Sequence, residues 1–249
     1  MFMTMKKIFA FLLPVFIGFQ GFTADINNLD DFFKQADIFF KKYVHNGLVD
    51  YNTLATQPNE LISLVRYMES VDFNTGKPHR DYVKAFWINA YNLTTIKSVV
   101  FKYPLASPLD DTNFFTGEKH NVAGEQLTLG DIEKKKLINP FNDERIHFVI
   151  VCAAKGCPKL TNFAYSPDKL ESQILSQTKK SMNDDYFIRV SLAAEKVEVS
   201  EIFDWYKSDF TNTGEDILSY INQYRNSPIP SGFSLEHYTY DWALNEKKK

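Results

Sequence analysis

The chain has only two cysteines and five histidines in 249 residues, and no C-x-x-C spacing. That scarcity excludes a disulfide-dense miniature fold and argues against the paired-cysteine ligand sets of zinc sites. No excess of one charge is present: 28 Lys and Arg stand against 31 Asp and Glu, a net charge of −3. Such a balance does not make a nucleic-acid-binding surface. A fixed-period repeat, a low-complexity linker and a second long apolar run are also missing, which sets aside repeat architectures and multi-span membrane proteins.

The one long apolar run stands at the start. Lys6 and Lys7 precede uncharged residues 8–24, the order of an export signal, with Thr23-Ala24 before Asp25 as the cleavage point. Phe22 is bulky where a small residue is preferred, so an uncleaved N-terminal anchor is the alternative. A periplasmic or secreted protein is expected, touching membrane only if the signal stays attached. Removing residues 1–24 takes away two lysines and no acid, leaving 26 basic against 31 acidic residues and a net charge of −5. Residues 25–249 can bury one core, and a single domain is the expectation. The full chain's 22 Phe and 13 Tyr, all but six of the Phe within this domain, predict an aromatic interior.

The periodicity predicts an α+β domain: a long central buried helix packed against a small sheet, with further helices around it. Residues 28–46 repeat apolar side chains at helical spacing, and Asn46-Gly47 supplies the stop. Residues 60–70 predict a second helix. Residues 81–103, closed by Pro104, are apolar nearly all round, which predicts the central helix. Asn89 and Asn92 interrupt it one turn apart, so both amides should be buried and bonded. A hairpin is predicted around Ala123-Gly124, then a helix from a Thr128–Asp131 cap. Residues 145–152 read as the best strand of the chain. Later helices are predicted over 167–182, 201–210 and 215–224, with strands over 187–190 and 196–199.

The chemistry gathers in Arg145-Ile146-His147-Phe148-Val149-Ile150-Val151-Cys152-Ala153-Ala154-Lys155-Gly156-Cys157-Pro158. It offers an acid–base group, two thiols and an anion clamp. On a regular strand, His147 and Cys152 would face opposite sides. Cys157, beyond a turn, would then be the partner for His147. One reading makes Cys157 a nucleophile and His147 its base, with Arg145 holding a substrate carboxylate and Asn89, Asn92 or Glu133 orienting the pair. The competing reading bridges Cys152 to Cys157, which leaves no nucleophile. His45, His79, His120 and His237 lack partners nearby in sequence and are expected at the surface. No cofactor or metal is expected.

Several motifs occur together in order. They are Val49-Asp50-Tyr51, Phe86-Trp87-Ile88-Asn89-Ala90-Tyr91-Asn92 and Leu127-Thr128-Leu129-Gly130-Asp131-Ile132-Glu133. Arg145-Ile146-His147-Phe148 through Cys152, Cys157-Pro158 and Tyr240-Asp241-Trp242-Ala243-Leu244-Asn245 complete the set. The chain thereby resembles domain-of-unknown-function family 547 over roughly residues 48–245, with Gly130 where that pattern carries an acid. The resemblance implies that Asn89, Asn92, Glu133, Arg145, His147, Cys152 and Cys157 occupy motif positions. It implies no settled activity. Three functions follow for an exported protein: a thiol-dependent hydrolase or acyl transferase on a peptide-like or amide substrate; a non-catalytic, disulfide-stabilised domain binding a small molecule, peptide or protein; and, third, a thiol–disulfide redox role, for which C-x₄-C lacks the familiar C-x-x-C geometry.

Overall fold

The computed structural model describes residues 29–73, 78–212 and 214–248. The proposed signal, residues 1–24, lies outside them. Helix α1 (Leu29–Tyr43) buries Leu29, Phe32, Phe33, Ala36, Phe39, Phe40 and Tyr43 on one stripe. Asp30 and Asp31 in its first turn and Lys41 and Lys42 in its last complement the helix dipole. Asn46 (φ 52°) and Gly47 (φ 85°) then turn the chain between β1 (Val44–His45) and β2 (Leu48–Val49). Two left-handed residues in a row match the right-handed twist of a tight hairpin.

Helices α2 (Tyr51–Thr56) and α3 (Asn59–Ser70) lead to α4 (Arg80–Val100). From Lys84 to Val100 every residue of α4 except Lys97 is buried. Helices α1, α2 and α3 surround it, and hairpin β3 (His120–Val122)–β4 (Glu125–Leu127) touches it where Ser98 meets His120. The hairpin turn is Ala123-Gly124, both at positive φ. Thr128 and Asp131 form the predicted capping box for α5 (Leu129–Asp131). The helix then widens into a π-helical stretch over Ile132–Ile138 and closes through α6 (Asn139–Phe141) at left-handed Asn142.

The strand expected over 145–152 does not form. Glu144–Phe148 is a 3-10 helix, capped by the Asp143 side chain on the Arg145 N–H. Val149 and Ile150 continue the turn, their N–H groups donating to the Ile146 carbonyl, while the Val149 carbonyl and the Val151 N–H go to an α4 side chain instead of a strand. A β-branched run suits any buried backbone, and without a partner edge it has no ladder to join. The alternation argument that put His147 and Cys152 on opposite faces therefore has no strand to act on.

Helix α7 (Leu170–Met182) follows, then antiparallel β5 (Ile188–Ser191) and β6 (Lys196–Ser200). The helix expected over 201–210 breaks at Tyr206 into α8 (Ile202–Trp205) and α9 (Lys207–Phe210). Helix α10 (Ile217–Asn222) precedes β7 (Ser234–Tyr238), which pairs parallel to β6 with Val197 opposite Leu235. Phe148, Phe187, Phe203, Phe210 and Tyr220 form the aromatic interior between these elements.

Candidate functional site

The cysteine loop is held by the chain's last residues. The Lys155 N–H donates to the Ala243 carbonyl, and the Gly156 N–H to that of Asp241, each at 2.8 Å. The Asn245 N–H returns to the Ala153 carbonyl at 2.9 Å. Ala153 sits at φ 65°, which turns the loop. Gly156 is dictated by contact: a Cβ there would lie 2.9 Å from three carbons of the Tyr240 ring. The same terminal strap reaches onward, with the Tyr51 hydroxyl on Asn245 Oδ1 and the Val49 N–H on the Asn245 carbonyl, both at 2.9 Å.

Within this loop Cys152 and Cys157 lie at disulfide distance, their Cα atoms 6.4 Å apart. Cys157 is buried and Cys152 is half-buried. The Cys152 N–H donates to Cys157 Sγ at 3.0 Å. The Tyr240 hydroxyl lies 3.0 Å from Cys157 Sγ and 3.2 Å from Cys152 Sγ. Burial pushes the Tyr240 phenol well above its ordinary range, so it stays a donor at neutral pH.

His147 is not at these sulfurs. Its Nε2 is 2.8 Å from Asp209 Oδ2, and its ring packs at a tilt against Tyr206 with centroids 4.0 Å apart. The break between α8 and α9 is what turns Tyr206 onto the imidazole. Glu133, half-buried on the π-helical stretch, bonds the Tyr206 phenol, which burial first and Glu133 second push upward. His147 and Glu133 thus meet around Tyr206, while Cys157 belongs to a different wall. Cys157 lines a cleft of about 430 Å³, and Asp209 a separate one of about 110 Å³; the two share no lining residue.

Arg145 has its fork filled. Its Nε and one terminal nitrogen bond both oxygens of Asp143 at 2.8 Å, and Glu171 takes two more N–H groups at 2.6 and 3.1 Å. Buried Lys84 completes this network on Asp143. Burial raises the Asp143 carboxyl, but its bonds from Arg145 and Lys84 outweigh that and hold it at about 2. Asn89 and Asn92 are buried and bonded as predicted, yet to backbone: Asn89 to Tyr165, Asn92 to Val149 and Val151. Neither bonds the imidazole or a sulfur.

Reading the sequence missed three contributors. Asp209 lies 62 positions from His147, and nothing local marks it. Tyr240 stood inside the terminal aromatic motif, where its hydroxyl could have been suspected. His120, expected at the surface, is buried, and that burial lowers its pKa to about 4. Among the described residues there is no cluster of metal-ligating side chains, and no helix is long and apolar enough to cross a membrane.

These features define a class: an α+β domain in which a central helix's asparagines and a terminal aromatic strap fix a two-cysteine loop. Residues 77–181 match the model of the family described as "Protein of unknown function, DUF547". No curated protein and no solved structure matches the chain.

Proposed function

We propose that this chain is an exported, non-catalytic binding domain, with Cys152 and Cys157 paired in its resting form and its ligand seated in the cleft beside Cys157. One observation carries the reading: each group a thiol enzyme needs is engaged elsewhere. Cys157 pairs with Cys152, the His147 imidazole meets Asp209 at another cleft, and Arg145 is engaged by Asp143 and Glu171. The basic-then-apolar N-terminus supports export, and an oxidising compartment would keep the sulfurs paired.

The cleft's size, about 430 Å³, suits a small molecule or the end of a peptide. Pro158, Tyr186 and Phe187 give it an apolar wall. Lys155 and Lys180 line it too, exposed and outside any ion pair among the described residues. That combination favours a ligand with an apolar body and a carboxylate.

Thiol labelling of the unreduced, purified protein followed by intact mass measurement tests the non-catalytic part; no label is expected. A single fast label at Cys157 that slows in His147→Ala would overturn it in favour of a thiol-dependent hydrolase or acyl transferase. Fractionation with N-terminal sequencing tests export, and a cytoplasmic protein retaining Met1 would sink it. Thermal-shift titration with acylated amino acids tests the cleft: stabilisation should vanish in the double variant Lys155→Glu, Lys180→Glu.

A further inference from the structure

As a staple, the Cys152–Cys157 bridge has little to do. It closes a loop of five positions, and cross-linking so short a loop removes less entropy from the unfolded chain than closing a long one. The loop is also held without it. Ala153, Lys155 and Gly156 are bonded to the terminal strap, and the Cys157 N–H donates to the Ala154 carbonyl at 3.2 Å. Opening the bridge leaves all these bonds standing.

The donors around the sulfurs are unevenly placed. Cys157 Sγ faces two, the Cys152 N–H and the Tyr240 hydroxyl, each at 3.0 Å. Cys152 Sγ shares only the Tyr240 hydroxyl, at 3.2 Å, and Cys152 is the more exposed of the two residues. The Tyr240 hydroxyl has no other hydrogen-bond partner among the described residues. A disulfide sulfur is a weak acceptor, whereas a thiolate receives charge-assisted bonds of roughly twice the strength. These donors therefore gain most when the sulfur–sulfur bond opens toward Cys157.

We propose that the pair is a thiol–disulfide exchange site for a small-molecule thiol, with Cys152 the sulfur attacked and Cys157 the sulfur that leaves. An external thiolate attacks Cys152 Sγ, and a new disulfide forms between them. The Cys152–Cys157 bond breaks, and its electron pair departs on Cys157 as a thiolate held by Tyr240 and the Cys152 N–H. A second thiolate then attacks the external sulfur of the mixed disulfide and releases Cys152. In sum, two external thiols become one external disulfide, and the protein gains two electrons and two protons as a dithiol. The exchange does not depend on what the cleft binds.

Incubating the oxidised full chain with glutathione, quenching in acid and mapping peptides by mass tests the assignment. The adduct is expected on Cys152, and dithiothreitol should give the same dithiol with no lasting adduct. Tyr240→Phe keeps the ring over Gly156 and removes only the hydroxyl. It should slow opening by roughly tenfold, as the loss of one charge-assisted bond predicts, and raise the Cys157 pKa read from thiolate absorbance. His147→Ala should change neither. Adduct on Cys157, reduction seen only on unfolding, or a Tyr240→Phe variant matching wild type in rate and pKa would each overturn the proposal. A thermal melt of Tyr240→Phe matching wild type shows that the change in rate is chemical.

Discussion

Asn92 grips the backbone around Val149: its Nδ2 donates to the Val149 carbonyl, and its Oδ1 accepts the Val151 N–H, both at 2.9 Å. One buried amide thus does for residues 149–151 what a neighbouring strand would do. Asn92→Leu removes both bonds and leaves a buried carbonyl and N–H unpaired, each costing about 1–3 kcal/mol. The variant should melt several degrees lower, and hydrogen exchange should speed up first at Val151. An unchanged melt would mean that water or another group takes over these bonds.

Arg145 belongs to a charge network more than to a ligand. Lys84 and Asp143 have side chains only 10% exposed, and Asp143 is their common point with Arg145. Asp143→Ala would leave the Lys84 ammonium buried and uncompensated, a loss of about 3–5 kcal/mol. Adding Lys84→Met to Asp143→Ala should recover much of that loss. Chemical denaturation of the single and double variants reads both effects, and a silent Asp143→Ala would return Arg145 to the list of free anion clamps.

Acid should weaken the fold in a window set by His120. Its folded pKa of about 4 lies below the ordinary 6.5, chiefly through burial, with Lys97 and Lys102 adding to it and Glu118 opposing. The unfolded state therefore binds the extra proton first. Stability contributed by the neutral ring is complete above pH 6.5 and is lost as pH falls toward 4, at up to roughly 1.4 kcal/mol per unit. Asp143 titrates lower, below 3.8 and through about 2, outside this window. Urea denaturation from pH 7 to 4 should show the slope in wild type and a flatter one in His120→Asn.

What could be read from the sequence was local. The period of 81–103, the Ala123-Gly124 turn and the Thr128–Asp131 cap each involve residues within a few positions, and all three appear in the structure. The strand expected over 145–152 failed because a strand is a relation between two segments. Its apolar run found an asparagine in place of an edge. Likewise β7 exists only through β6, and its own sequence of Ser, Leu, Glu, His and Tyr carries no strong alternation. The candidate site divided for the same reason. His147 and Cys157 are close in sequence, but Asp209 draws one away and Tyr240 holds the other, from 62 and 83 positions off.

The terminal strap bears on how this domain can be cut. The segment matched by the family, 77–181, contains the cysteine loop but none of the backbone that closes it, since residues 241–245 and Val49 lie beyond its two ends. Excised on those limits, the loop would lose the acceptors of Lys155 and Gly156 and the donor to Ala153, and Gly156 would lose the ring packed upon it. The matched segment by itself therefore lacks the contacts that hold its cysteine loop. A module that keeps these contacts runs from α1, which packs on α3 and α4, to the strap, so a fusion or dissection guided by the matched span alone would yield a chain missing its own keystone.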